Sequence, residues 1–199
     1  TTGIAQADKG QVEYLKNGRG KTIFIRNNAA RALQAHSGRM TSTAMKQAPK
    51  LAPDPALITD QFLAEHGDAL GEAATVEQLV PSALNIDDLG ITHVRYEQRY
   101  KGIPVFGAEV QTHIGRDQVV TSAHGNVVPS ISVSTTPKIN SKAAEQRAIT
   151  YFKREFQTGN PTVLKTRLVI FNKGLLENKE DTKSVLAWEV HLYYAMPTV

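Results

Sequence analysis

The chain has 199 residues, 41% hydrophobic and 21% charged, with no cysteine and a formal net charge of +4. That length suffices for one large domain or two small ones with buried cores, and the missing cysteine excludes disulfide frameworks, thiolate nucleophiles and cysteine-ligated zinc. No apolar run approaches the roughly 20 residues that cross a bilayer as a helix.

The positive charge sits at the front: residues 1–50 hold 9 Lys/Arg against 2 Asp/Glu, whereas residues 51–199 hold 14 against 17. A nucleic-acid arm is one reading of this asymmetry. The basic residues are scattered singly, however, with no aromatic residues interleaved for base stacking, so a solvated basic face, or one complementing an acidic partner, is the other. Within the front section, residues 12–15 and 22–25 flank the turn Asn17-Gly18-Arg19-Gly20 and suggest a hairpin. A short helix is expected over 29–36, followed by a Ser/Thr/Gly/Lys/Pro-rich linker over 37–53. The chain begins Thr1-Thr2-Gly3, so any signal peptide is expected to be absent from it.

Asp54 is placed to cap a helix and Pro55 suits its first position. Leu57, Ile58, Phe62, Leu63, Ala69 and Leu70 recur at helical spacing before Gly71. Residues 72–90 read as a connection containing Pro81 and the turn Asp87-Asp88-Leu89-Gly90. Val94, Tyr96, Gln98 and Tyr100 then alternate with His93, Arg95, Glu97 and Arg99, which predicts a strand with one wet face. Lys101-Gly102 breaks the pattern as a two-residue hairpin connection does. A second strand runs from Ile103 to Ile114. Pro104 gives no amide hydrogen and marks an edge or a strand opening, and Gly107 marks a bulge or a close backbone approach. A third strand is expected over 119–124.

After the extended segment 129–137, Ser141 is placed to cap a second helix with Ala144, Ala148, Ile149, Phe152 and Phe156 on its buried stripe, ending at Gly159-Asn160-Pro161. Two strands follow, one around 163–171 and one with Leu186, Trp188, Val190 and Leu192 on one face, separated by an exposed charged loop over 177–183.

No catalytic constellation emerges. The six histidines, His36, His66, His93, His113, His124 and His191, contain no pair four apart, so the H-E-x-x-H zinc motif is absent. Serine-nucleophile, P-loop and dinucleotide patterns are also missing, and Asp87-Asp88 and Glu180-Asp181 fall in turns where solvated charge is the ordinary state. His93, His113 and His124 would meet if their three strands adjoin, since neighbouring strands lie about 5 Å apart. Such a cluster is either a metal site or a set of partly exposed strand histidines, the latter being far commoner.

The run Y-E-Q-R-Y-K-G-I-P-V-F-G resembles the propeptide motif shared by fungalysins and thermolysin-like metallopeptidases, with Tyr96, Gln98, Tyr100, Gly102, Ile103, Pro104, Val105 and Gly107 at the motif positions. Helix, strand, charged loop and a strand bearing Ala187-Trp188-Glu189-Val190 resemble the PepSY domain that stands second in such propeptides. The resemblance implies an α+β fold of two small units, each a helix packed on an antiparallel sheet: a cystatin-like propeptide unit over 54–131 and a PepSY-like unit over 132–199, after a basic hairpin and linker over 1–53. It also implies a secreted, non-enzymatic propeptide of the vibriolysin type, extracellular or periplasmic, that chaperones and inhibits the catalytic domain of its own metallopeptidase. No nucleic acid and no membrane enters that picture. Zinc and calcium would belong to the catalytic domain and no cofactor to this chain. Thr198 and Val199 become candidates for an inhibitory C-terminus, although the family's usual further strand after A-W-E-V is not present before Val199. The motif residues themselves read as structural. A free-standing PepSY-type inhibitor, or a binding module acting through the basic front, remain alternatives.

Overall fold

A computed structural model of the chain describes residues 12–28, 54–71, 78–157, 159–177, 179 and 183–195. The helix expected over 29–36, the linker over 37–53, the Glu180-Asp181 pair and the terminus with Thr198 and Val199 lie outside the described residues. The chain forms two compact units, residues 1–99 with 107–130 and residues 100–106 with 131–199.

The first unit is one helix on an antiparallel sheet. Its elements are β1 (Val12–Lys16), β2 (Thr22–Asn27), α1 (Pro55–His66) with a 3-10 turn at Gly67–Leu70, β3 (Leu79–Ile86), β4 (Thr92–Tyr100), β5 (Ile103–Ile114), whose residues up to Phe106 belong to the second unit, and β6 (Val120–Asn126). Their order across the sheet is β1-β2-β6-β5-β4-β3. Local chemistry sets the turns. The Asn17 side chain accepts from the amides of Arg19 and Lys21 at 3.0 and 3.1 Å. Asp87 does the same for Leu89 and Ile91 at 2.9 Å between β3 and β4. Lys101 and Gly102 both take positive φ, 49° and 81°, as a type I′ hairpin requires.

The core lies between α1 and one face of the sheet, joining Phe62, Leu63 and Leu70 to Ile25, Leu79, Val94, Tyr96, Val110, Ile114, Val120, Ala123 and Val127. Asp54 caps α1 through the amide of Ala56 at 2.9 Å, and Pro55 begins it. Leu57, expected inside, is 54% exposed. The inward stripe is set by Thr59, Phe62 and Leu63, and a residue 200° from Thr59 around the helix falls outside it. The alternation of β4 is as its period demands: Thr92, Val94, Tyr96 and Gln98 are buried, while Arg95 and Arg99 are exposed.

Residues 79–86 are a strand and not the connection expected there. Pro81 argued against a strand, but β3 lies at the edge of the sheet and its pairing with β4 shifts register between Pro81 and Ala83. A proline is tolerated at such a place, where its missing amide breaks no regular ladder. Gly107 has φ 73°. The inward parity of β5 changes there, from Val105 before it to Ala108, Val110 and Thr112 after it, as an inserted residue in a strand produces.

In the second unit, α2 (Ser141–Phe156) packs on β7 (Thr162–Asn172) and β8 (Ser184–Tyr193), with the short α3 (Lys173–Glu177) between the strands. β7 and β8 pair antiparallel throughout, and Val105 at the start of β5 pairs parallel with Ile170. Asn140, not Ser141, caps α2, accepting from the amide of Ala143 at 2.9 Å; Ser141 is the first helical residue. The helix stops at Gln157, which takes the left-handed conformation with φ 49°, and so ends before the Gly159-Asn160-Pro161 signal. Only Ala144 of the expected stripe is fully buried, and Phe156 is 61% exposed. A two-stranded ribbon is too narrow to cover a helix of 16 residues.

Candidate functional site

Two groups of side chains stand out in the first unit, one on each face of the sheet. The motif residues lie on and beyond the covered face. Tyr96 is fully buried, and its hydroxyl donates to the Asp60 carboxylate at 2.9 Å with the Ala56 carbonyl 3.2 Å away, which ties β4 to α1. Burial, and then the Asp60 carboxylate, raise the pKa of that phenol above its ordinary value, so it stays a neutral donor. Gln98 is equally buried and acts as a substitute strand: its Nε2 donates to the Val128 carbonyl at 2.8 Å and its Oε1 accepts the Val128 amide at 2.9 Å. The second Nε2 hydrogen faces Gln78 Oε1 at 3.3 Å. Thr59 and Thr112 close a further buried hydroxyl pair at 2.8 Å.

The other motif residues shape the backbone. Tyr100 is half-buried under the Lys101 ammonium, 5.1 Å from the ring centroid. Gly102 completes the hairpin turn, Ile103 and Pro104 are half-buried, Val105 is buried, and Gly107 carries the parity change.

The open face carries a row of rings across four strands. His93 and His113 approach at 2.7 Å between their Nδ1 atoms, and His113 Nε2 lies 3.4 Å from His124 Nδ1. His93 Nε2 is 3.0 Å from Asp87 Oδ2. Phe24 stacks on His124, with centroids 6.1 Å apart and planes 6° off parallel. Burial, then the neighbouring His124 and His93, press the His113 pKa down to about 4, against the pull of Asp87. Burial and then Arg95 lower that of His124. The backbone amide of Ile91, and then His93, hold the Asp87 carboxyl below its ordinary range. The three histidines singled out in the sequence thus do meet, but as a series of ring contacts. Among the described residues no group of three His, Asp or Glu is arranged to hold a metal ion. Asp87 was read as a solvated turn residue; only the register of β3 on β4, which places Asn85 opposite His93, brings its carboxylate to the row.

In the second unit, Ala187, Trp188, Glu189 and Val190 lie on β8 opposite Val169, Leu168, Arg167 and Thr166. Trp188 Nε1 donates to the Ile139 carbonyl at 2.9 Å, which fastens the extended segment before α2 to the ribbon. Glu189 pairs with Arg167 and lies 2.6 Å from His191 Nε2. Burial pushes the Glu189 carboxyl up, but the hydrogen bonds from Arg167 and His191 outweigh it and leave the pKa lowered. The four residues are half-buried packing and pairing groups.

Residues 77–127 match the family described as Fungalysin/Thermolysin Propeptide Motif. Thermolysin of Alicyclobacillus acidocaldarius subsp. acidocaldarius is 33% identical over 121 residues, 56% of this chain and 20% of the relative. The virulence metalloprotease of Vibrio anguillarum is 28% identical over 156 residues, 77% of this chain and 23% of the relative. The transglutaminase-activating metalloprotease of Streptomyces mobaraensis is 37% identical over 87 residues, 43% and 11% respectively. The matches therefore span only 20% and 23% of the first and second of these relatives. Among solved structures, the Bacillus megaterium YpeB C-terminal domain covers 91% of this chain and 65% of that one at 15% identity, with a TM-score of 0.40, too loose a superposition to carry an argument. Residues 77–127 thus match the fungalysin/thermolysin propeptide motif, and the chain is similar to one part of each of these metalloproteases.

Proposed function

We propose that this chain assists the folding of the catalytic domain of its own thermolysin-like metallopeptidase and inhibits that domain until it is degraded. The observation that carries the reading is the propeptide match over 77–127. What supports it physically is a motif whose buried residues hold a rigid helix-on-sheet unit together. A preformed surface of this kind lowers the entropy a partner loses on reaching its native state, and by binding that state it stabilises it by mass action. In this reading the propeptide-like unit over 54–131, with the hairpin of residues 12–27 that completes its sheet, and the PepSY-like unit over 132–199 act together, and the eight motif residues and the A-W-E-V strand are structural. Thr198 and Val199 are the candidate inhibitory end, which would approach the catalytic zinc as a product carboxylate does. The pair is secreted and processes itself in the manner of a vibriolysin.

The test is refolding of a denatured thermolysin-like catalytic domain with and without equimolar chain, scored by recovered peptidase activity after the chain is digested away, together with inhibition of the native enzyme before digestion. The reading expects a several-fold gain in recovered activity and inhibition at equimolar ratio. Neither effect on any thermolysin-like enzyme, its presumed partner included, would defeat it.

A further inference from the structure

The row on the open face is used by nothing in the reading above, and its geometry is unusually constrained. Asp87 only accepts, so its contact with His93 Nε2 at 3.0 Å places a proton on that nitrogen. A neutral His93 then offers a lone pair at Nδ1, which takes the Nδ1 hydrogen of His113 across 2.7 Å. His113 in turn offers Nε2 to the Nδ1 of His124 at 3.4 Å. With all three rings neutral, these contacts fix the tautomers as a directed series ending on a carboxylate.

Counting protons shows what acid does to it. The three rings have six nitrogens, four of them in the two ring-to-ring contacts, and each contact tolerates one hydrogen. With one more on His93 Nε2 and one on the outer nitrogen of His124, the series holds four hydrogens, one beyond neutrality. A fifth sets N–H against N–H. One positive charge can be accommodated beside Asp87; a second cannot.

The surroundings offer little relief. Arg95 on β4 faces His124 and is itself paired with Glu109 of β5 at 3.6 Å. On β2, Phe24 stacks on His124, and Arg26 lies over Phe24 and pairs with Glu13 of β1. Arg116 from the β5–β6 turn donates to the Leu89 carbonyl beside Asp87, and β3 contributes no charged residue. Among the described residues, Asp87 is therefore the one carboxylate in contact with the rings.

We propose that Asp87, His93, His113 and His124 form a pH-sensitive clasp across β4, β5 and β6, closed by hydrogen bonds at neutral pH and forced open when acid loads a second proton on the row. The clasp is independent of the propeptide reading, since it stands on the open face's geometry alone. Its sign follows from linkage. In the unfolded chain each imidazole titrates near its ordinary value of about 6.5, whereas His113 in the folded unit resists protonation until about pH 4. Between these values the unfolded chain binds more protons. Stability is therefore full above the unfolded value and falls as pH drops toward the folded one.

The test is side-chain 15N NMR of the full chain from pH 8 to 4, paired with urea denaturation of the wild type and His113→Gln. The proposal expects His113 to carry its proton on Nδ1 at pH 8, and the rings to titrate in coupled steps with His113 last. It also expects the wild-type folded-to-unfolded ratio to fall roughly tenfold or more further than that of His113→Gln between pH 7 and 5. Three independent titrations near the ordinary value, with His113 protonated on Nε2 at pH 8, would overturn it. So would parallel stability profiles for the two proteins. If the variant does not fold, the wild-type tautomers and titrations decide alone.

Discussion

The two faces of the six-stranded sheet carry polar side chains in similar variety and treat them in opposite ways. Under α1, Tyr96 and Gln98, with Thr59 and Thr112, are buried and each finds a partner of complementary type. On the open face Arg95 and Glu109 meet at 3.6 Å with both side chains about half exposed, 50% and 51%, and Arg26 pairs with a less exposed Glu13. A buried polar group left unpaired costs its full desolvation, whereas an exposed ion pair exchanges one solvated arrangement for another. The covered face thus specifies the fold, and the open face is free to vary, except where the histidine row ties three strands together.

Substitutions sharpen that contrast, taken position by position from the largest expected effect to the smallest. Tyr96→Ala removes a fully buried aromatic ring and the tie to Asp60 and is expected to cost about 3–5 kcal/mol in urea denaturation. Tyr96→Phe, which loses only the hydroxyl, should cost about 1 kcal/mol. Gln98→Leu keeps the volume but orphans both the amide and the carbonyl of Val128, for an expected loss of about 2–4 kcal/mol. Gly125→Ala places a methyl 2.4 Å from the Glu109 carbonyl oxygen and 2.8 Å from Val110 Cα, both backbone atoms that cannot step aside. About 1–3 kcal/mol should be lost as β6 shifts against β5. Arg95→Ala, on the open face, should move the same midpoint by less than about 1 kcal/mol at neutral pH. An Arg95 effect as large as that of Gln98 would erase the distinction between the faces.

Much of this contrast was legible in the sequence because it follows a period of two. The alternation of Val94, Tyr96 and Gln98 with Arg95, Glu97 and Arg99 announces a strand with one wet face, and the positive φ values of Lys101 and Gly102 are what a two-residue hairpin demands. What could not be read depends on partners remote in the chain. The strand at 79–86 was hidden by Pro81, whose position at an edge bulge exists only once β4 is beside it. Asp60 as the partner of Tyr96, and Val128 as the partner of Gln98, lie 36 and 30 residues away from them, with no local pattern to link them. The histidine row needed only adjacent strands, and so its members could be named from sequence, but the carboxylate that orders their tautomers could not.

The central claim is that the motif builds a scaffold for a propeptide and does not itself meet the enzyme. It is tested most directly by inhibition of a thermolysin-like metallopeptidase by the wild-type chain and by Tyr96→Phe, measured well below the unfolding transition of both. The account predicts equal inhibition constants for the two proteins, with the variant differing only in its denaturation midpoint. A variant that stays folded yet loses inhibition tenfold or more, or a wild-type chain that inhibits no such enzyme, would contradict it.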